Sequence, residues 1–193
     1  MYILEELDKV HMNTNRKILA QGDRDGACFL YSIANAAFAL TDKVVTQSKW
    51  VKGIRALPFE MSDYIAGRGT EKLDLKPHYL EGFCQDFLAV LGVNAKVSWH
   101  EGLKSTAELK NILTPRQVFL MVIDDDAHWV AMVDADDKDA VFIACSAEAL
   151  NGDSPYLEES SPRFNRLYNK QLKFAELRAE KGYGILISLS HDA

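Results

Sequence analysis

The stretch QGDRDGACFLYSIANAAFAL, residues 21–40, decides how the rest of the chain is interpreted. From Cys28 to Leu40 it is long, apolar and rich in alanine, which predicts a buried helix. Cys28 stands where a glycine-containing loop enters that helix. The free N–H groups and the dipole of a helix N-terminus stabilise a thiolate and make the sulfur nucleophilic. The position therefore predicts a nucleophile, whereas the residue type alone favours a small buried core residue.

The composition limits the classes of protein that need to be considered. With 193 residues, 48% hydrophobic and 26% charged, the chain is typical of one soluble globular domain covering residues 1–193. The net charge of −6 argues against nucleic acid as the main partner. No apolar run is long enough to span a membrane. The acidic start MYILEELDKV lacks the pattern of a signal peptide, which predicts a cytoplasmic protein or a delivered effector without a recognisable signal.

The cysteines and the acidic tracts argue against a bound metal or other cofactor. Cys28, Cys84 and Cys145 are scattered and form no C-x-x-C pair, so neither a disulfide scaffold nor a structural zinc site is expected. The tracts DDDAH and DADDKD lack the glycine and distal glutamate of a calcium loop. We therefore interpret them as solvated turns and expect no metal.

The order of the predicted elements indicates an α+β domain with helices first and an antiparallel sheet second. Helices are predicted near residues 28–40, 47–56 and 77–92, at STAELKNIL, where Ser105 and Glu108 have capping-box spacing, and at residues 165–181. Strands are predicted at QVFLMVID, HWVAMVDA, AVFIACSA and YGILISLS, with VNAKVSW as a further candidate. The acidic turn DADDKD joins two of these strands as a hairpin.

Two further residues could complete a site around Cys28. His128 opens a predicted strand, where a histidine can face a cleft and act as a base, or can simply be a half-exposed strand residue. The side-chain amide of Gln21 could donate to a developing oxyanion beside the backbone N–H of Cys28, or could be a solvated loop residue.

These motifs together resemble the papain-like cysteine peptidase superfamily. The segment DGACFLYSIANA resembles the signature of ovarian-tumour-type deubiquitinases, and QGDRDGAC with HWVAMVD resembles the bacteriocin-leader-type peptidases. The resemblance covers about a third of the chain by motif. It implies a papain-like fold with a helical lobe at about residues 1–115 and a sheet lobe at about 116–193. It further implies Cys28 as nucleophile, His128 as general base and acid, and Gln21 as oxyanion donor, although the spacing from Gln21 to Cys28 is one residue longer than in papain-type members.

The residue that should orient the histidine departs from the family pattern. Papain-like enzymes have an Asn or Asp at the end of the strand that follows the histidine strand, and it accepts a hydrogen bond from the imidazole. Here that point reads FIACSAE, with Cys145 and Ser146. Ser146 and Asp126 are equal candidates for the role, while Asp134 lies about 20 Å along the strand from His128.

The resemblance implies a cysteine hydrolase that cleaves a peptide or isopeptide bond through an acyl-enzyme, with a peptide or protein as its substrate partner. Two alternatives stay open. The same pair of Cys28 and His128 could transfer an acyl group to an acceptor other than water, as in transglutaminase-like enzymes. The absence of the expected Asn or Asp could instead indicate a papain-like binding module without catalysis.

Overall fold

A computed structural model describes residues 17–21, 27–56, 77–125, 128–147, 158–179 and 181–190. Within these ranges the protein is α+β, as predicted, with helices packed on an antiparallel sheet. The helices are α1 (Cys28–Thr41), α2 (Gln47–Arg55), α3 (Pro77–Leu91) and α4 (Thr106–Ile112). The strands are β1 (Ala95–His100), β2 (Gln117–Ile123), β3 (His128–Ala135), β4 (Ala140–Ala144), β5 (Glu159–Ser160), β6 (Leu167–Tyr168), β7 (Lys170–Lys173) and β8 (Gly184–Leu189).

Local sequence signals explain where the helices begin and end. The hydroxyls of Thr46 and Ser105 accept the backbone N–H of the third residue of α2 and α4, which satisfies donors that a helix start leaves open. The helix predicted from Cys28 is confirmed, and it ends at Asp42, which takes the left-handed conformation that commonly closes a helix. Its residues from Cys28 to Ala39 are all buried, which explains the continuous apolar sequence.

The main sheet has six antiparallel strands in the order β1-β8-β2-β3-β4-β7, and β5 and β6 form a separate pair. The predicted strands are confirmed, including the hairpin of β3 and β4 around the acidic turn. The candidate strand VNAKVSW forms β1, which joins the sheet as an edge beside β8. One strand of the sheet therefore comes from the region assigned to the helical lobe.

The helix predicted at residues 165–181 is wrong. That region contains β6, β7 and a short 3-10 helix, Phe174–Leu177. Strand β7 pairs with β4 from Ala140 with Lys173 to Ile143 with Lys170. The hydrogen bonds and burial that β4 offers outweigh the helix propensity of the segment, which is a weak preference that tertiary contacts override.

Two apolar clusters lie on the two faces of the sheet, because successive side chains of a strand point to opposite faces. Helices α1, α2 and α3 cover the first face, and α4 covers part of the second. The first cluster includes Phe29, Leu88, Leu120, Trp129 and Phe142. The second includes Leu109, Phe119, Val130, Met132, Ile143 and Cys145. The first cluster holds α1 against β3, the two elements that begin at Cys28 and His128.

Among the described residues, no helix has both the length and the apolar character needed to cross a membrane.

Candidate functional site

The N-terminus of α1 presents Cys28 in an environment without nearby negative charge from the helix itself. The residue before the helix is Ala27, which has no side-chain acceptor, and the first turn carries no carboxylate. The first bond of the helix runs from Tyr31 N–H to the Ala27 carbonyl, at 3.1 Å. The positive end of the helix dipole thus lies at Cys28, a residue that is 7% exposed.

An aromatic contact brings the start of α1 to the start of β3. The rings of Phe29 and Trp129 meet edge to face, with centroids 4.8 Å apart and planes at 64°. Phe29 follows Cys28 in the chain, and Trp129 follows His128. Because each ring is anchored in the first core cluster, this pair fixes the two predicted catalytic residues at the same end of the sheet.

The imidazole of His128 contacts the sulfur of Cys145. The distance from His128 Nε2 to Cys145 Sγ is 3.4 Å. Cys145 follows the end of β4 and is 1% exposed, whereas His128 is half-buried. A cysteine after the end of β4 therefore contacts the histidine, close to where an orienting Asn or Asp was sought in the sequence.

Gln21 and Ser146 bind each other through both side chains and backbones. The Ser146 hydroxyl donates to Gln21 Oε1 at 2.8 Å, and the Gln21 N–H donates to the Ser146 carbonyl at 3.2 Å. The segment that carries Gln21 is held on α1 by the buried amide of Asn35, which pairs with both the N–H and the carbonyl of Leu19. Ser146 therefore orients the predicted oxyanion donor, and its hydroxyl bond goes to Gln21 rather than to the histidine.

Asn169 is a site residue that the sequence analysis did not identify. Its Oδ1 accepts the Cys145 N–H at 2.8 Å, and its Nδ2 donates to the Cys145 carbonyl, also at 2.8 Å. The side chain thus replaces a neighbouring strand at the point where β4 has ended. No sequence signal marks this role, because its partner lies 24 residues away.

The remaining candidates for orienting the histidine are accounted for separately. Asp126 lies outside the described residues. Asp134 is fully buried, beyond a bulge in β3, where it accepts the N–H groups of Ala135 and Arg163, each at 2.8 Å. Its carboxylate also lies 3.6 Å from the Arg163 guanidinium. The Asp134 carboxylate therefore binds the segment that carries Arg163.

The third cysteine has no part in this arrangement. Cys84 lies in α3 with no exposed surface, and burial raises the pKa of its thiol far above the usual range. Cys84 therefore provides an internal reference for an unreactive thiol.

Within the described ranges, no group of three or more His, Cys, Asp or Glu residues has the arrangement of a metal site.

The fold and site define an α+β protein in which a helix-start cysteine, a strand-start histidine and a second cysteine lie at one end of an antiparallel sheet. Comparison of the chain with models of known protein families, with curated proteins and with solved structures found no match.

Proposed function

We propose that this protein is a papain-like cysteine hydrolase that cleaves a peptide or isopeptide bond. The observation that carries the proposal is the contact of Phe29 with Trp129, which brings the N-terminus of the Cys28 helix to the start of the His128 strand. The contact of His128 Nε2 with Cys145 Sγ, at 3.4 Å, supports an imidazole that is held in a defined position at this end of the sheet.

The reaction follows from the roles of these residues. The Cys28 thiolate forms a bond to the carbonyl carbon, and the carbonyl electron pair moves onto the oxygen. The Gln21 amide and the Cys28 backbone N–H stabilise the oxyanion. When the oxyanion collapses, the carbon–nitrogen bond breaks and the imidazolium of His128 gives its proton to the leaving amine. Water then attacks the thioester while His128 takes its proton, releasing the carboxylic acid and restoring the thiolate.

The orientation of Gln21 supports its part in this scheme. Ser146 engages the oxygen end of the side-chain amide, and the nitrogen end makes no hydrogen bond to any residue that the structure describes. An amide held by its oxygen has its N–H groups available for a substrate oxyanion. The first amides of α1, which receive no side-chain cap from Ala27, supply the second donor.

A binding module without catalysis is the second candidate, and strand parity favours it. Val130 and Met132 share the parity of His128 and pack in the cluster on the face opposite α1. A histidine that followed the same alternation to the end of the strand would point away from the cysteine. The contact of His128 with Cys145, which packs in the same cluster as Val130 and Met132, agrees with this alternation. The hydrolase therefore requires the imidazole to reach Cys28 around the end of the strand.

Alkylation of the cysteines tests the hydrolase. The wild-type protein, Cys28→Ala and His128→Asn are treated with iodoacetamide at several values of pH, and labelled peptides are identified by mass spectrometry. We expect Cys28 to react alone and well below pH 8.5, the approximate pKa of a free thiol, and to lose this reactivity in His128→Asn. Cys84, which is buried, is the unreactive reference.

Reaction with p-nitrophenyl acetate then separates the functions. A hydrolase releases a burst of about one nitrophenol per protein and carries the acetyl group on Cys28. An acyltransferase would pass that group to an added amine faster than to water. If Cys28 alkylates no faster than a free thiol and shows no burst, the hydrolase proposal fails and the binding module remains.

A further inference from the structure

We propose that the dipeptide of Cys145 and Ser146 at the end of β4 is a positioning unit, in which Cys145 sets the histidine base and Ser146 sets the oxyanion donor. The inference rests on the proposed function, because the two residues that it positions are assigned there. It adds the means by which one short segment aligns both halves of the site.

Cys145 acts through Nε2 of His128. At 3.4 Å its sulfur can accept a hydrogen bond from Nε2–H. That tautomer leaves Nδ1 without a proton, which is the form that can take the proton of the Cys28 thiol. A thiol sulfur is a weak acceptor compared with a carboxylate. Cys145 therefore fixes the ring orientation and tautomer but stabilises the imidazolium less than an aspartate would.

Ser146 acts through the side-chain amide of Gln21. Its hydroxyl is buried and donates to Oε1 at 2.8 Å, while its carbonyl accepts the Gln21 N–H. If the amide were rotated by a half turn, its oxygen would face the developing oxyanion and repel it. The bond from Ser146 to Oε1 holds Gln21 in the orientation that the oxyanion role requires.

Asn169 makes the unit rigid. Its two 2.8 Å bonds to the backbone of Cys145 hold both the N–H and the carbonyl of that residue. Its own N–H donates to the Ile143 carbonyl at 3.1 Å, which continues the pairing of β7 with β4. Adjacent residues of an extended segment point in opposite directions, so a single fixed backbone can direct Cys145 to the histidine and Ser146 to the glutamine.

Nuclear magnetic resonance tests the Cys145 half without relying on catalysis. The chain is labelled with ¹⁵N-histidine, and the His128 signal among the five histidines is assigned with His128→Gln. We expect Cys145→Ala to move the ¹⁵N shifts of His128 toward a mixture of tautomers, and Cys145→Ser, which keeps an acceptor, to restore the wild-type pattern. Cys84→Ala controls for the loss of a buried thiol and leaves His128 unchanged. Unchanged His128 shifts in a folded Cys145→Ala overturn this half.

The Ser146 half is tested on the Gln21 side-chain NH₂ signal and on the nitrophenyl ester. Ser146→Ala is expected to move that signal and to lower the acylation rate by about tenfold, less than the 100-fold or more lost when an oxyanion donor is removed outright. It should leave the pH profile of Cys28 alkylation unchanged, because the thiol and base are intact. Ser146→Thr, which keeps the hydroxyl, should restore the rate, and Ser161→Ala controls for loss of another buried hydroxyl.

The two levels of proposal can fail separately. If wild-type Cys28 is unreactive, the hydrolase fails, while the His128 and Gln21 signals still decide whether the dipeptide positions them. If Cys28 is reactive but Ser146→Ala changes neither the Gln21 signal nor the acylation rate, the positioning unit is wrong and the hydrolase stands.

Discussion

Nη2 of Arg178 lies 2.7 Å from Oδ1 of Asp124, and this ion pair braces the turn that leads into His128. Nη1 of the same guanidinium lies 3.2 Å from Asp125. The two aspartate N–H groups donate to the carbonyls of Leu177 and Arg178, at 2.9 and 3.1 Å. Asp124, Asp125 and Arg178 all have positive φ, a conformation that costs free energy and is held only by its surroundings.

Replacing Arg178 by alanine is expected to loosen this turn with little effect on global stability. The side chain is 58% exposed, and water screens an exposed ion pair so that it contributes little to stability. We expect the amides of Asp124 and Asp125 to exchange with deuterium at least several times faster and the reactivity of Cys28 to fall, because the loop before His128 is less ordered. Lys110→Ala removes the exposed ion pair with Asp137 and is the matched control. Equal protection of these amides in both variants would contradict the prediction.

Replacing Asn35 by alanine is expected to release the segment that carries Gln21. The Asn35 amide is buried within α1 and satisfies both backbone groups of Leu19, at 2.8 and 3.3 Å. Its loss leaves those groups without partners and should lower the free energy of unfolding by about 1–3 kcal/mol, measured by urea denaturation.

The reactivity of Cys28 in Asn35→Ala tests whether the segment with Leu19 and Gln21 carries the oxyanion donor. We expect Asn35→Ala to slow acylation by p-nitrophenyl acetate while Cys28 alkylation stays close to wild type, because the released segment carries the oxyanion donor and not the base. Asn35→Asp keeps the acceptor for the Leu19 N–H and should show smaller losses of both rate and stability. An unfolding free energy unchanged in Asn35→Ala would show that the two hydrogen bonds between Asn35 and Leu19 contribute nothing to stability.

Hydrophobic patterns were sufficient to predict α1 and the central strands. Those segments are so apolar that they are buried whichever elements pack against them. The position of Cys145 beside the histidine depends on the register of β3 with β4, which shifts between Met132 and Asp134 and is not marked in the sequence. The observed register pairs Ala131 with Ala144 and Met132 with Ile143, and extending it places Cys145 on the face of Val130, beside His128. Strand parity thus distinguishes Cys145 from Ser146, a distinction that the motif comparison did not make.

The role of the region after β5 could not be predicted from local sequence. Residues 165–181 contain good helix formers, and the partners that override them are distant in the chain: Asn169 binds Cys145 and β7 pairs with β4. Buried Arg166 is likewise satisfied by carbonyls that lie between 33 and 52 residues away. Such contacts follow from tertiary packing, which a pattern of local propensities does not contain.

Arg166 is expected to be the most sensitive charged residue of this region. Nη1 donates to the carbonyls of Gln117 and Val133, and Nη2 to those of Thr114 and Pro115, all between 2.7 and 3.0 Å. Burial lowers the pKa of Arg166 to about 10, so the guanidinium remains charged at neutral pH.

Arg166→Ala removes this donor from all four carbonyls, of which that of Thr114 keeps the Gln117 N–H, and should lower the free energy of unfolding by about 3 kcal/mol. Arg166→Lys should recover only part of this loss, because an ammonium group cannot reproduce the planar fork of donors. Arg116→Ala, which removes an exposed arginine that also donates to two carbonyls, is the control and should change stability by less than about 1 kcal/mol. Similar urea midpoints for the Arg166 and Arg116 variants would be inconsistent with this account.

Tyr168 gives the protein a specific pH dependence in alkaline solution. Its hydroxyl donates to Oε2 of Glu159 at 2.6 Å, and this hydrogen bond raises the pKa of Tyr168 to about 12, above the usual value of about 10. Between these two values the unfolded chain has lost the phenol proton and the folded chain has kept it. Stability that is fully present below about pH 10 is therefore lost as the pH rises toward 12.

Tyrosinate absorbance and urea unfolding at alkaline pH check this dependence. The wild type should show a tyrosine ionisation near pH 12 that is absent in Tyr168→Phe. The free energy of unfolding of Tyr168→Phe should fall less steeply with pH than that of the wild type above about pH 10. Glu159→Gln removes the charged acceptor and should return the pKa of Tyr168 toward its usual value. Because Tyr168 also packs edge to face on Phe142, with centroids 4.9 Å apart, and Phe keeps that contact, a change confined to the alkaline range identifies the hydroxyl as its cause.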